Sequence, residues 1–199
     1  DSRSCTISGE TNSIDAFLVS AKPVAEGGHG GFYIGRYEQG TGNVCKAGVD
    51  AYVDVTRDEA KAQAEAMYSG NSEDSEIKAT SQLISSYAWD TALNFICQTN
   101  TEGYVLATTT DDQYGNIGTK NKTQTGGYPA DCYSNIYDLL GNCFEWTTEY
   151  SSTADSSDSY PCVGRSGDSF YSNGYAAHRG VNTTDHSGSS NSFRLQLYV

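Results

Sequence analysis

Basic residues are scarce in this 199-residue chain, which has 12 lysines and arginines against 25 aspartates and glutamates and a formal net charge of -13. A surface with this excess of negative charge repels the phosphates of nucleic acids and the anionic headgroups of membranes. No apolar run approaches the roughly 20 residues that a membrane-spanning helix needs. We therefore expect no nucleic-acid partner and no membrane insertion.

Paired cysteine motifs are also lacking. The six cysteines are scattered along the chain, and none forms a Cys-x-x-C pair, which argues against a zinc site. Two interpretations stay open, disulfides in an exported protein and buried free thiols, and the sequence alone does not select a pairing.

A third absence is confined to the C-terminal part of the chain. The 46 residues from Tyr150 to Leu195 contain no Lys, Glu, Gln, Met or Trp, whereas residues 1–149 contain 25 of them, so about eight would be expected. Surface loops usually favour Lys, Glu and Gln, so a general preference for polar residues does not explain the depletion. The five missing types share one property, which is that none of their codons ends in a pyrimidine.

Regular structure is predicted mainly in the first half of the chain. The alternation of apolar and polar residues over 32–38 predicts a strand. Thr56 and Glu59 have the spacing of a capping box, so a helix begins there, and Gly70 ends it. The apolar stripe of this helix comprises Ala60, Ala64, Met67 and Tyr68.

A second helix is predicted to follow Ser85, its N-cap residue. Its apolar face comprises Trp89, Leu93, Ile96 and Cys97. After Glu102 the helical periodicity is lost, and long segments rich in Gly, Ser, Asn and Tyr follow, which is where function usually lies. The run 193–199 predicts a closing strand. Length and pattern thus indicate one α+β domain over residues 31–199, preceded by an N-terminal arm or strand over residues 1–30.

Several short motifs occur in an order that resembles the formylglycine-generating enzyme family, whose members contain a sulfatase-modifying-factor domain. They are "FYIGRYE", the Trp-containing helix "LISSYAWDTALNFI", "NIYDLLGNCFEW", "GRSGDSF", "AAHRG" and "FRLQL". The resemblance covers about residues 31–199, and "GNCFEW" is its most specific motif. It implies a C-type-lectin-like α+β fold, with two helices on a small, twisted, mostly antiparallel sheet and with long ordered loops.

The family resemblance also implies a calcium site in the turn that contains "GNCFEW". Side-chain oxygens of Asp138 and Glu145 and backbone carbonyls of Gly141 and Cys143 are the implied ligands, and oxygen is the donor that calcium prefers. The alternative is that Glu145, which lies between two large aromatic residues, is a structural carboxylate that accepts hydrogen bonds. Calcium is the one cofactor that we consider.

Enzymes of this family use a pair of catalytic cysteines close to the C-terminus. In the matching stretch "SFYSNGYAAHR", Ser172 takes the place of the first cysteine, and no cysteine follows Cys162. Without a thiolate there is neither a nucleophile nor a copper ligand. We therefore predict that the protein is not an enzyme and binds no copper. The alternative is a catalytically degenerate or residual formylglycine-generating-type oxidase.

The depleted segment resembles the variable region of proteins that diversity-generating retroelements rewrite. These elements replace adenines in AAY codons and leave the final pyrimidine, which would exclude the five missing residue types, and their target proteins frequently have the C-type-lectin-like fold. This resemblance implies a variable ligand-binding region over about residues 150–195. The alternative is a Ser- and Asn-rich adhesin loop, or a copper-free degenerate relative, in which the depletion arose by chance.

The resemblance divides the C-terminal region into framework and contact positions. Framework positions match the family motifs and are Arg165, Gly167, Ser169, Phe170, Ala177, Arg179, Phe193 and Arg194. Contact positions lie between them and are expected to face solvent: Ser166, Asp168, Tyr171, Asn173, Tyr175, His178, Asn182, His186, Ser187, Ser189 and Asn191. Tyr, Ser, Asn and Gly are also the residues that antibodies use for adaptable contacts.

The function that these patterns favour is that of an adhesin which recognises a protein or glycan receptor on a host or target cell. We expect it on a phage tail or on a bacterial cell surface.

Overall fold

The computed structural model describes residues 4–7, 10–13, 31–67, 80–151 and 159–198. Most of the predicted N-terminal arm lies outside these ranges, and so do Tyr68, Gly70 and residues 152–158 of the predicted variable region.

The described residues contain three helices: α1 Arg57–Met67, α2 Ser86–Thr99 and α3 Gly103–Thr108. The capping box of α1 is confirmed, because the Thr56 N–H donates to the Glu59 carboxylate at 2.8 Å and the Glu59 N–H donates to the Thr56 hydroxyl at 3.3 Å. Ser85 caps α2 by accepting a hydrogen bond from the Ala88 N–H at 3.1 Å. Helix α3 was not predicted, because six residues are too few to show a helical period. None of these helices has the length and apolar character needed to cross a bilayer.

The strands in the described ranges are short. They are β1 Ser4–Ile7, β2 Glu10–Ser13, β3 Tyr33–Ile34, β4 Thr80–Leu83, β5 Cys132–Tyr133, β6 Ile136–Tyr137, β7 Phe144–Tyr150, β8 Cys162–Arg165, β9 Arg179–Asn182, β10 Asn191–Phe193 and β11 Leu195–Tyr198. Strands β1 and β2 pair with each other, as do β5 and β6, and both pairs are antiparallel.

The predicted closing strand is confirmed over Leu195–Tyr198 as β11, which pairs antiparallel with both β3 and β4, whereas Phe193 belongs to β10. This three-stranded sheet brings the start and the end of the 31–199 domain together. The strand predicted over 32–38 contracts to two residues. Beyond them the Gly35 N–H still donates to the Leu195 carbonyl of β11 at 2.8 Å, but the Gly35 carbonyl accepts a hydrogen bond from the Arg194 guanidinium at 2.9 Å.

A second sheet, in the order β10-β7-β8-β9, carries most of the C-terminal region. Strand β10 is parallel to β7, and the other two pairs are antiparallel. The architecture is therefore α+β with small, mostly antiparallel sheets, as predicted, but the described ranges contain three helices instead of two.

Two apolar clusters fill the interior. Helix α2 buries Trp89, Leu93 and Ile96, as its pattern predicts, against residues of α3 and the turn before β7. Helix α1 buries Ala60 and Ala64 against a second cluster, whose other members are Val55, Leu83, Trp146, Cys162, Phe193 and Leu195. Cys143 and Cys162 are buried free thiols, which decides between the two interpretations for these two cysteines.

Candidate ligand-binding site

One open concavity of about 640 Å³ lies over the four-stranded sheet, and we call it the tail concavity. Its walls are the segments 166–174 and 186–191, and β7 and β9 contribute to its floor. Nine of the eleven predicted contact residues line it: Ser166, Asp168, Tyr171, Asn173, His178, Asn182, His186, Ser189 and Asn191. Tyr175 and Ser187 do not. The lining residues that the sequence did not single out as contacts are Phe144, Gly167, Phe170, Gly174, Gly180, Gly188 and Ser190.

The floor is built around the ring of Phe144. Glycines on β8 and β9 make room for this ring, since a Cβ atom on Gly164 would lie 2.1 Å from it and one on Gly180 would lie 2.9 Å from it. The ring also packs edge-on against Trp146, with 5.8 Å between the ring centroids. Phe144 precedes the depleted segment in the chain, and only the strand pairing places it beneath that segment.

Three of the predicted contact residues differ from the expectation that they face solvent. Ser166, Asp168 and Asn191 are buried, with 0%, 9% and 5% of their surface exposed. The Ser166 hydroxyl donates to the Leu139 carbonyl at 2.9 Å and accepts from the Gly141 N–H at 2.9 Å, which ties the wall to the "GNCFEW" turn.

Asp168 links the two walls through its side chain. One carboxylate oxygen accepts hydrogen bonds from the N–H groups of Phe170 and Tyr171, at 2.7 and 2.9 Å. The other accepts from the Ser190 hydroxyl at 2.9 Å. Because both oxygens are used within the fold, Asp168 shapes the tail concavity more than it offers a free charge to a ligand.

The remaining predicted contact residues agree with the expectation to different degrees. Tyr171, Asn173, His186, Ser187 and Ser189 are exposed, and 65% of Tyr171 is accessible to solvent. His178, Asn182 and Tyr175 are half-buried. The ring of Tyr175 packs edge-on against that of His178, with 5.5 Å between the ring centroids, and contacts the apolar cluster of α2.

The lining contains hydroxyl, amide and imidazole groups beside the aromatic rings of Phe144, Phe170 and Tyr171. It includes no lysine, arginine or cysteine, and Asp168 is its only acid. Groups that can both donate and accept hydrogen bonds, placed beside aromatic surface, are suited to non-covalent recognition. The arrangement provides no thiol nucleophile.

Glu145, in β7, is the partner of Arg194 in a buried ion pair. The guanidinium donates to both carboxylate oxygens, at 3.0 and 2.7 Å, and neither residue is exposed. A guanidinium fork matches a carboxylate in this two-bond geometry. Burial raises the pKa of Glu145, and the positive charge of Arg194 opposes that rise.

Three further buried acids, Glu38, Asp131 and Asp138, lie near this ion pair. Burial raises the pKa of Glu38 and of Asp131 well above its ordinary value, and the negative charge of Asp138 raises both further. Burial also raises the pKa of Asp138 to about 6, although the Gly126 N–H and Arg194 oppose the shift.

The four predicted calcium ligands lie in the turn that precedes β7 and at the start of β7. Glu145 turns both of its oxygens to Arg194, so it could give an oxygen to a cation only by giving up part of that pair. Cys143 donates its N–H to Glu38 at 2.8 Å, and Gly141 contacts the backbone of Asn116. Asp138 has one oxygen bonded to the Gly126 N–H at 2.6 Å, and its other oxygen is buried without a partner.

In the described part of the chain, no group of three or more His, Cys, Asp or Glu side chains is placed to hold a metal ion. The residues as arranged fit an ion pair better than a calcium ligand set, and calcium binding stays a prediction. Thermal melts with calcium and with chelator test it, because a ligand that binds only the folded state raises the melting temperature.

A second ion-pair cluster fastens α2 to the four-stranded sheet. Asp90 on α2 pairs with Arg165 on β8 at 2.5 Å and with Arg179 on β9, and Arg179 also pairs with Glu149 at 3.2 Å. Arg165 and Arg179 were predicted to be framework positions, and these contacts are the structural reason. Sequence spacing could not reveal the cluster, because its members come from four separate segments.

Comparison with known proteins gives a likeness of fold. No protein-family model matches the sequence, and no curated protein does. The crystal structure of CarF is similar with a TM-score of 0.52 and 13% identity, over 74% of this chain and 67% of that chain. Treponema denticola variable protein 1 gives a TM-score of 0.47 and 14% identity, over 84% of each chain. At such identities, the likeness to CarF shows a shared fold and nothing about function.

Proposed function

We propose that this chain is a ligand-binding protein with a C-type-lectin-like fold, and that a retroelement diversifies its tail concavity. One observation carries the proposal. Positions chosen from residue composition and motif order alone, between Ser166 and Asn191, converge on one concavity in the folded chain. A chance depletion of five residue types would give no reason for the affected segment to form a single recessed surface.

The division between exposed and buried positions supports diversification. Tyr171, Asn173, His186 and Ser189 are exposed, although the His186 ring also lies edge-on against Trp146, and exposed substitutions usually change stability by no more than about 0.5 kcal/mol. The framework residues Phe193 and Arg194 in the same segment are completely buried. A protein built in this way can change its binding surface and keep its fold.

The chemistry of the lining favours recognition over catalysis. Ser172, which takes the place of a family cysteine, is an exposed residue beside the tail concavity, and the lining contains no thiol. Recognition of a protein or glycan receptor needs only shape, aromatic surface and adaptable hydrogen bonding. The acidic scaffold would reduce non-specific attraction to polyanions. We place this receptor-binding activity on a phage tail or a bacterial cell surface.

Sequencing of the surrounding DNA tests the proposal. We expect a reverse transcriptase gene nearby and a near-copy of the segment that encodes residues 150–195, with mismatches confined to adenines of the copy. The codons for Tyr171, Asn173, His186 and Ser189 should be among the variable ones. A locus without a copy or a reverse transcriptase, and with no variation at these codons in a natural population, would contradict diversification.

The alternative function, a residual oxidase, has its own test. Incubation of the protein with a cysteine-containing sulfatase peptide, copper and oxygen should leave the peptide unchanged. Formation of formylglycine in that assay would overturn the proposal in favour of the oxidase.

A further inference from the structure

The turn at residues 117–122, which we call the support turn, lies between α3 and β5 and contacts the first wall of the tail concavity. The Gly118 N–H donates to the carbonyl of Asp168 at 3.2 Å, and the Lys120 N–H donates to the carbonyl of Ser169 at 2.7 Å. The Lys120 ammonium also donates to the carbonyl of Phe170. Three successive carbonyls of this wall therefore accept hydrogen bonds from one short turn.

The support turn also reaches the second wall. The Lys122 ammonium donates to the carbonyl of Ser189 at 2.7 Å. The two walls are about twenty residues apart in sequence, and a hydrogen bond with a charged donor is roughly twice as strong as a neutral one. The support turn thus bridges the two wall backbones from outside the depleted segment.

All four of these bonds end on backbone carbonyl oxygens. A carbonyl is the one hydrogen-bonding group that every residue type has, proline included, whereas an N–H or a side-chain group can be lost on substitution. The four bonds therefore need no particular side chain at the positions that accept them, which are 168, 169, 170 and 189.

The support turn is itself anchored in the interior. The Asn116 amide donates to the Asn121 carbonyl at 3.0 Å and to the Asn142 side-chain oxygen at 2.9 Å. Asn142 donates in turn to the Glu38 carboxylate at 2.6 Å, and Asn116, Asn142 and Glu38 are completely buried. Buried hydrogen-bonded networks of this kind are rigid, so the support turn has a fixed base.

We infer that the support turn is a clamp that positions both walls of the tail concavity through their backbone carbonyls, with Lys120 and Lys122 as its positioning residues. The inference rests on the proposed function for what the walls bind, but it concerns the backbone of the free protein. Lysine is one of the five residue types missing from the depleted segment, so the clamp belongs to the part of the chain that would not be diversified.

Hydrogen–deuterium exchange of the free protein tests this clamp. The variants are Lys120→Met, Lys122→Met and the double variant, which keep most of the side-chain length and remove the charged donor. Lys46→Met is the matched control, because Lys46 is an exposed lysine that does not line the tail concavity. The reporters are the amides of Phe170 and Tyr171 in one wall and of Asn191 at the end of the other.

We expect exchange at these amides to rise by about tenfold in the double variant, because local opening becomes easier when charged hydrogen bonds are lost. Exchange in α1 should stay unchanged, as should all rates in Lys46→Met. Lys122→Arg, which retains a donor, should restore slow exchange at Asn191 relative to Lys122→Met.

Unchanged wall exchange in the double variant would overturn the inference, and so would an equal rise in α1, since the lysines would then stabilise the whole domain and not the walls. Because the measurement uses no ligand, it can fail while the tail concavity still proves to bind a receptor. It can also succeed while the genomic test of diversification fails.

Discussion

Two sets of residues within the same C-terminal segment differ in what they contact. Phe193 and Arg194 are completely buried. The ring of Phe193 packs with that of Tyr52, and Arg194 donates hydrogen bonds to Glu145 and to the carbonyls of Gly35 and Tyr137. Tyr171 and Asn173, about twenty residues earlier, are exposed on the rim of the tail concavity. The difference shows how one segment can hold a fold through a few side chains and leave the others open to change.

The largest effect should come from the buried ion pair. Arg194→Met leaves Glu145 as an uncompensated buried carboxylate beside other buried acids, and loss of one partner of such a pair costs about 3–5 kcal/mol. Urea unfolding at neutral pH measures the loss. The double variant Arg194→Met with Glu145→Gln should recover part of it, and a single variant as stable as the wild type would show that the pair has no structural role.

A similar or slightly smaller loss is expected from the apolar side of the framework. Phe193→Ala removes a buried ring between Tyr52 and the residues of the α1 cluster, and such truncations cost about 3–5 kcal/mol. Thermal melts of Phe193→Ala should show a clear decrease in melting temperature. Tyr171→Ala is the matched control, and equal decreases in melting temperature in the two variants would contradict the distinction between framework and contact positions.

Asp168 combines the two kinds of position, because it lines the tail concavity and its side chain also makes hydrogen bonds within the fold. Asp168→Ala leaves the Phe170 and Tyr171 N–H groups and the Ser190 hydroxyl without their acceptor, and an unsatisfied buried polar group costs about 1–3 kcal/mol. Asn173→Ala, on the exposed rim, should change stability by no more than about 0.5 kcal/mol. Chemical unfolding of both variants checks the difference. Equal losses in the free energy of unfolding would show that Asp168 has no larger structural role than an exposed residue such as Asn173.

The sequence predicted what depends on local signals. The two longer helices were found because Thr56, Glu59 and Ser85 are capping residues and because the buried positions of each helix recur with a helical period. Nine of the residues that line the tail concavity were singled out from composition and motif order, which are also properties of the sequence alone.

What the sequence could not supply depends on contacts between distant segments. Arg194 meets Glu145 across 49 residues, and Phe144 becomes the floor of the tail concavity only through the pairing of β7 with its neighbours. Ser166 and Asp168 have the same composition as exposed loop residues, and only tertiary hydrogen bonds show that they are buried. Lys122 reaches Ser189 across 67 residues, and no sequence pattern marks that contact.

The most direct test of the central claim is a pair of displayed libraries, each with four positions randomised by codons that end in a pyrimidine. One library varies Tyr171, Asn173, His186 and Ser189, and the other varies Ser166, Asp168, Asn191 and Phe193. The fraction of members that resist protease measures folding and needs no ligand. The account predicts that most members of the first library stay folded and that few of the second do. Equal fractions, or a first library that is mostly degraded, would contradict the claim that the tail concavity can change its surface without changing its fold.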